Sequence, residues 1–326
     1  MHILVTGAAG MIGRKLIGRL TADGALNGQT IDKLTLIDIA PPEAPKGVAG
    51  VTTVTADLAD AGVAEKAVAA RPDVIFHLAA IPSGGAETDF EDGYRANLDG
   101  NRNLLEAVRR TGDGYRPKFI YASSIAVFGA PFPSSIPDDF HLTPLTSYGA
   151  QKVIGETLLA DYTRRGLLQG VGIRLPGITV RPGAPNKAAS GFYSAIIREP
   201  LAGLEAVLPV SEDTVNTHAS PRAAAGFLVH AASLDPAQLG PRVNLTMPGV
   251  CCSIGEQIAA LRRVAGEHVA ARIRRAPDEF IMRIVAGWPS RFDATRARAL
   301  GFKAEQSFDE IVRIHIEEDL GGRFAA

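Results

Sequence analysis

Tyr148 and Lys152 stand four residues apart within a stretch, residues 147–165, whose apolar spacing is helical, so both side chains fall on one helix face. A phenol with a pKa of about 10 is a poor base at neutral pH unless a positive charge lies beside it. An ammonium about 5 Å away at an effective dielectric of about 20 favours phenolate by roughly 3 kcal/mol, which is about two pK units, while burial opposes the shift. Ser124 follows a β-branched and aromatic run at 118–123, where its hydroxyl can hold an oxygen that the tyrosine deprotonates. The three side chains together suit proton removal from a substrate hydroxyl coupled to loss of a hydride.

Such a set must be held by a scaffold that also presents a hydride acceptor. The first strand, at residues 2–6, runs directly into Gly7-Ala8-Ala9-Gly10-Met11-Ile12-Gly13 and then a helical stretch, 11–22. Glycine permits the tight turn and the close approach of backbone to a pyrophosphate, which the free N–H groups and positive dipole end of the helix then hold. Gly7, Gly10, Met11, Ile12 and Gly13 are therefore candidate cofactor residues. Asp38 closes the second strand, at 34–39, where a carboxylate accepts from adenosine ribose hydroxyls and repels a 2′-phosphate, favouring NAD over NADP. Asp57-Leu58 after the strand at 51–55, and Leu78-Ala79-Ala80 around the end of the strand at 74–78, lie at strand ends that open on the same crevice. Oxidised nicotinamide would add a second positive charge beside the tyrosine.

Strand and helix patterns alternate through helices at 89–110 and 147–165 to a strand at 171–175, the rhythm of parallel βαβ units. The expected fold class is therefore α/β: a Rossmann-type doubly wound parallel sheet over residues 1–180, then a smaller, mostly helical substrate domain over 181–326, with some chain crossing between them. Expected helices in the second part are 220–233, 253–265, 277–286 and 307–319, with a strand at 242–246.

A net charge of −1 over 326 residues gives no electrostatic footprint for nucleic acid or a membrane surface. No apolar run approaches the roughly 20 residues that span a bilayer. The two cysteines, Cys251 and Cys252, are adjacent and poorly placed to close a structural disulfide, which points to a reducing, cytoplasmic setting. The histidines lack metal-ligand spacing, and no metal is expected.

Gly7 to Gly13, Asp38, Asp57-Leu58, His77-Leu78-Ala79-Ala80, Asn97, Ser123-Ser124-Ile125-Ala126-Val127-Phe128-Gly129 and Tyr148 to Lys152 together resemble the extended short-chain dehydrogenase/reductase superfamily over nearly the whole chain. The resemblance implies catalysis by Ser124, Tyr148 and Lys152, and adds Asn97 and Leu175, with Tyr148 and Lys152 themselves, to the residues about the NAD. Phe128 stands where the superfamily usually has tyrosine. Many members act on nucleotide-diphosphate sugars through an Arg-x-x-Asn motif, but Arg174-Leu175-Pro176-Gly177 lacks the amide, and Ile125-Ala126 replaces the Asp-Glu pair of dehydratases.

Arg174 to Ile178, Arg181-Pro182-Gly183, Ala189 to Phe192 and His218 to Arg222 instead resemble the group within that superfamily that oxidises D-erythronate. What this implies is NAD-dependent oxidation of the 2-hydroxyl of a four-carbon sugar acid to the 2-keto acid. A nucleotide-sugar epimerase that retains its NAD is the alternative, and a non-catalytic dinucleotide sensor would have no need of the catalytic set. A hydroxy acid needs a partner for its carboxylate, for which Asn186, His218 and Arg222 are candidates, with Ser83, Ser124 and Tyr148 for hydroxyls. The family resemblance also suggests a homodimer through the helices at 89–110 and 147–165.

Overall fold

Aliphatic residues fill both faces of the first strand, which is why it lies in the middle of a covered sheet. In β1 (His2–Thr6), Ile3 and Val5 enter one core and Leu4 the other, all fully buried. The structure, a computed structural model, describes residues 1–325 apart from 47, 49 and 184–188. Strands β2 (Lys33–Asp38), β3 (Val51–Thr55), β4 (Val74–His77), β5 (Lys118–Ser124) and β6 (Gln169–Leu175) lie in the same sheet as β1. Beyond them β7 (Gly177–Ile178) and β8 (Val215–Ala219) leave it, β9 (Asn244–Thr246) rejoins it, and β10 (Val250–Ser253) pairs antiparallel with β8. The order across the sheet is β3-β2-β1-β4-β5-β6-β9, with every neighbouring pair parallel. The order reverses between β1 and β4, so their carboxyl ends open a crevice of the kind that binds ligands.

The helices sort to the two faces by their apolar stripes. In chain order they are α1 (Met11–Asp23), α2 (Val63–Val68), α3 (Ser83–Thr88), α4 (Phe90–Tyr94), α5 (Gly100–Thr111), α6 (Ser147–Arg164), α7 (Phe192–Leu201) and α8 (Pro221–Ser233), followed by α9 (Ile254–Ala265), α10 (Glu279–Ala286) and α11 (Phe308–Asp319). Leu16, Ile17 and Leu20 of α1 join Phe227 and Leu228 of α8 in one core, while Val68, Leu104, Val108 and Leu159 from α2, α5 and α6 build the other. A separate core gathers Ile196 and Ile197 of α7, Ile258 and Leu261 of α9 and Ile311 and Val312 of α11. Strand β9 and helix α8 come from beyond residue 180 yet pack with the sheet, so the chain crosses back over it.

The expected helix at 89–110 is instead three segments: α4, a π-helical turn over Arg95–Asp99, and α5. The wide turn carries Asn97 inward, where it is 3% exposed and its amide is held by the loop after β4 and by α6. The helices predicted at 220–233, 253–265 and 307–319 start where Ser220, Ser253 and Ser307 accept the N–H of residues 223, 256 and 310. The helix predicted from 277 begins at Glu279 because the Asp278 carboxylate caps it, accepting from the N–H groups of Phe280 and Ile281. Strand β8 is not apparent from the sequence. Among the described residues no helix is long and apolar enough to cross a membrane.

Candidate active site

The glycine loop fits a dinucleotide by what side chains would strike. A Cβ on Gly7, whose φ is +72°, would lie 2.6 Å from the Ala79 nitrogen, and one on Gly13 would lie 2.2 Å from the Gly7 carbonyl oxygen. The loop is thus packed against the Leu78-Ala79-Ala80 turn, and the start of α1, with Gly10 extended at its N-cap and no side chain capping it, is left open to the crevice. Met11 and Ile12 are partly buried against the core beneath. One Asp38 oxygen accepts from the Ala9 N–H at 2.9 Å and the other from the Ala40 N–H at 3.0 Å, fixing the carboxylate between β2 and the glycine loop.

Other predicted cofactor residues have their polar groups engaged within the protein. Asp57 pairs with Arg95 at 2.5 Å, and Leu58 is a core residue. Asn97 was expected at the NAD, but its side chain clamps the loop after β4. It accepts from the Ile81 N–H at 2.7 Å and donates to the Ile81 carbonyl at 3.0 Å and to Gln151 Oε1 at 2.6 Å. Its amide is thus engaged with Ile81, just past Ala79-Ala80, and with Gln151. Leu175 ends β6 as a buried core residue. Lys15 on α1 pairs with Glu318 and Asp319 of α11.

Helix α6 carries Tyr148, Lys152 and Glu156 one turn apart on the face toward β5. Thr146 caps it, accepting from the Gly149 N–H at 3.0 Å. Two glycines let it approach the sheet: a Cβ on Gly149 would lie 2.3 Å from the Ala126 carbonyl oxygen, and one on Gly155 2.2 Å from the Tyr121 hydroxyl. Lys152 Nζ, 3% exposed as a residue, donates to the Ala122 carbonyl at 2.8 Å and lies 5.6 Å from the centre of the Tyr148 ring. Burial draws the Lys152 ammonium down to about 8, against which Glu156 acts. Ser124 ends β5, accepts from the Ala126 N–H at 3.1 Å, and faces the Tyr148 hydroxyl closely enough to favour phenolate.

The electrostatics differ from the sequence expectation in one respect. Burial holds the Tyr148 phenol above its ordinary value; what opposes it in the free chain is the Ser124 hydroxyl and then the Arg181 guanidinium, rather than Lys152. Burial and the bond to Ala122 fix the ammonium, and its own desolvation makes it easier to deprotonate than a surface lysine. Behind the catalytic face, Arg174 grips Glu156 through two parallel bonds, Nε to Oε1 at 2.9 Å and Nη2 to Oε2 at 2.7 Å. Ser123 donates to the same carboxylate at 2.6 Å, and the Arg174 guanidinium carbon sits 5.0 Å from the centre of the Phe128 ring. Phe128, the departure from the superfamily tyrosine, thus serves as an apolar plate for this arginine.

Two predicted carboxylate partners are elsewhere. His218 is fully buried, bonded to Thr179 and Gln257 and edge-on to Tyr193 and Phe308; burial pushes its imidazole down to about 3, so it is a neutral core residue. Arg222 lies at the surface with its guanidinium bound to Glu317 and Glu318 of α11. Asn186 lies outside the described residues, and Ser83 is exposed at the first position of α3. The residue that sequence reasoning missed is Arg181, whose guanidinium acts directly on Tyr148. The Arg-Pro-Gly run was visible, but nothing in it says that the side chain is desolvated beside the catalytic phenol. Among the described residues no cluster of three metal-ligating side chains occurs.

Residues 3–215 match the model of the NAD dependent epimerase/dehydratase family. The chain belongs to that family. It accordingly binds NAD, which the glycine cradle and Asp38 suit. Over its length it is similar to D-erythronate dehydrogenase from Cupriavidus necator, 45% identical over 98% of both chains, and to D-erythronate dehydrogenase from Haemophilus influenzae, 39% identical over 98% of this chain and 100% of that one. A crystal structure of a nucleoside-diphosphate-sugar epimerase from Agrobacterium tumefaciens superposes with a TM-score of 0.97 at 61% identity, covering 99% of this chain and 95% of that one. An L-threonine dehydrogenase from Cupriavidus necator, 24% identical with a TM-score of 0.84 over 97% and 99% of the chains, shares the fold.

Replacing Asp38 by serine is expected to weaken NAD binding by about tenfold to a hundredfold, the worth of hydrogen bonds to a charged acceptor, and to strengthen NADP binding. Fluorescence titration with each dinucleotide checks this; unchanged discrimination would remove Asp38 from ribose recognition.

Proposed function

We propose that this enzyme oxidises the 2-hydroxyl of D-erythronate to the 2-keto acid. The observation that carries the reading is similarity to two D-erythronate dehydrogenases along the full chain, joined to the convergence of Ser124, Tyr148 and Lys152 at the crevice. In the balanced reaction the C2–H and O–H bonds break, a C2=O bond forms, and one hydride and one proton leave. NAD, when bound, accepts the hydride. Ser124 donates to and holds the C2 oxygen while the Tyr148 oxygen takes the proton. Lys152, fixed by Ala122, stabilises the phenolate once solvent is excluded.

A second reading, an epimerase of nucleotide sugars, is favoured by the Agrobacterium relative's name. Against it, Gly177 stands where the diphosphate-binding amide would be, and a Cβ there would already lie 3.1 Å from Asn216 Nδ2. The enzyme is offered NAD with D-erythronate, L-threonate, D-threonate or UDP-glucose and reduced nicotinamide is followed. Net reduction by D-erythronate supports the dehydrogenase; epimerised UDP-sugar without net reduction replaces it with the second reading.

Because oxidation needs the Tyr148 phenolate and burial holds that phenol above its ordinary value, kcat/KM for oxidation is expected to rise about tenfold per pH unit through the neutral range. The sign follows from oxidation needing the Tyr148 phenolate, and reduction of the keto acid, which needs the phenol, must show the opposite limb. A Tyr148→Phe enzyme whose residual activity kept the same limb would contradict the assignment. Exposed Phe90 on α4 and Ile154 on α6 support a homodimer through these helices, and the unpaired thiols of Cys251 and Cys252 support a cytoplasmic setting.

A further inference from the structure

Arg181 is a partly buried cation with no paired anion among the described residues. Its Nε donates to the Ile178 carbonyl at 3.1 Å and its Nη2 makes one long contact, 3.5 Å, with Ser190 Oγ. Among the described residues no carboxylate pairs with it and Nη1 has no partner. The surrounding charge makes this worse. Arg198 donates to the Arg181 carbonyl while its own charge is matched by Glu199, and His218 nearby is neutral. The main chain of Arg181 is pinned, its N–H donating to Ser194 Oγ at 3.0 Å, so the guanidinium is held in place by β7 and α7.

Its anchor, Ile178, follows three residues after Leu175, which lies directly opposite the catalytic Ser124 in the sheet, so the guanidinium stands at the same strand ends as Tyr148, on whose hydroxyl it acts. In a 2-hydroxy acid the carboxylate is bonded to the reacting carbon, so a group that reads it must lie beside the catalytic tyrosine. We propose that the Nη1–Nη2 edge of Arg181 binds the substrate carboxylate in a two-pronged ion pair, which makes the enzyme selective for small 2-hydroxy carboxylates over neutral polyols and sugars. This inference rests on the dehydrogenase reading. A lysine would supply charge without the fork, and a glutamine the reverse.

The test measures KM and kcat for D-erythronate and for its neutral amide in wild type, Arg181→Lys and Arg181→Gln. Calorimetry follows the binding of 3,4-dihydroxybutanoate, which keeps the carboxylate and lacks the oxidisable hydroxyl, and of NAD. Expected are a KM for D-erythronate raised about a hundredfold in Arg181→Gln and about tenfold in Arg181→Lys, loss of 3,4-dihydroxybutanoate binding in Arg181→Gln, and NAD affinity within threefold of wild type. The glutamine enzyme should treat acid and amide alike. Unchanged KM with a displaced pH profile of kcat would overturn the proposal, making Arg181 an electrostatic partner of Tyr148 alone. If Arg181→Gln does not fold, wild type decides: an acid-to-amide preference in kcat/KM below threefold overturns it, and one above a hundredfold upholds it. Wild type that oxidises no 2-hydroxy acid removes the dehydrogenase reading and this inference with it, whereas wild type that oxidises acid and amide equally removes the inference alone.

Discussion

Tyr148→Phe is expected to lower kcat for sugar-acid oxidation by about three orders of magnitude, within the range that a positioned acid or base contributes, while the dissociation constant for NAD stays within threefold. The phenylalanine keeps the ring that covers Lys152 and removes only the oxygen that faces Ser124. The fold should be unaffected, because among the described residues no hydrogen bond of the Tyr148 hydroxyl closes a turn or caps a helix. Single-turnover kinetics with saturating dinucleotide isolate the chemical step. A loss below tenfold would mean that another group takes the proton, and an equal loss of NAD affinity would mean that the residue shapes the cradle instead.

Arg174→Met is expected to destabilise the protein by about 3–5 kcal/mol, because it strands the Glu156 carboxylate, whose side chain is 1% exposed, without its counter-charge. The bond from Ser123 to the same carboxylate would persist, but one hydroxyl does not compensate a buried charge. Adding Glu156→Gln to Arg174→Met should recover part of the loss, since a neutral amide is less costly to bury. The pair also ties α6 to β6 and to the residue before Ser124, so kcat should fall along with stability. Urea unfolding of the single and double variants measures this; a change below 1 kcal/mol for Arg174→Met would show that water reaches the pair.

Much of this was legible in the sequence because local rules were sufficient. A strand running straight into a glycine turn and a helix specifies its own geometry, as the 2.2 Å approach of a Gly13 Cβ to the Gly7 carbonyl makes clear. The four-residue spacing of Tyr148 and Lys152 needs only helical periodicity. The helix starts at Ser220, Ser253 and Ser307 likewise follow from caps a few residues long.

What could not be read depends on residues far away in the chain. Arg222 and Arg181 look equally available in sequence, yet the partners of Arg222 are Glu317 and Glu318, some ninety-five positions on, and those of Arg181 are carbonyl and hydroxyl groups nearby. His218 became a core histidine through Tyr193 on α7, Gln257 on α9 and Phe308 on α11, three helices that converge only in the fold. Asn97 was set among the NAD residues by the family resemblance, but the π turn that aims it at Ile81 has no simple sequence signature. The state of Lys152 could not be read for a related reason. Sequence supplies the distance between two charges but not the desolvation that draws the ammonium itself down to about 8.

In the proposed reaction, hydride leaves C2 of the sugar acid as Tyr148 removes the proton from its oxygen. D-erythronate carrying deuterium at C2 tests it most directly, by mass analysis of the dinucleotide after complete turnover. Expected are reduced NAD heavier by one mass unit, formed in equal amount to the 2-keto acid, and unlabelled reduced NAD when the deuterium is at C3. Unlabelled reduced NAD from the C2-deuterated acid, or no net reduction while a nucleotide sugar is epimerised, would contradict it.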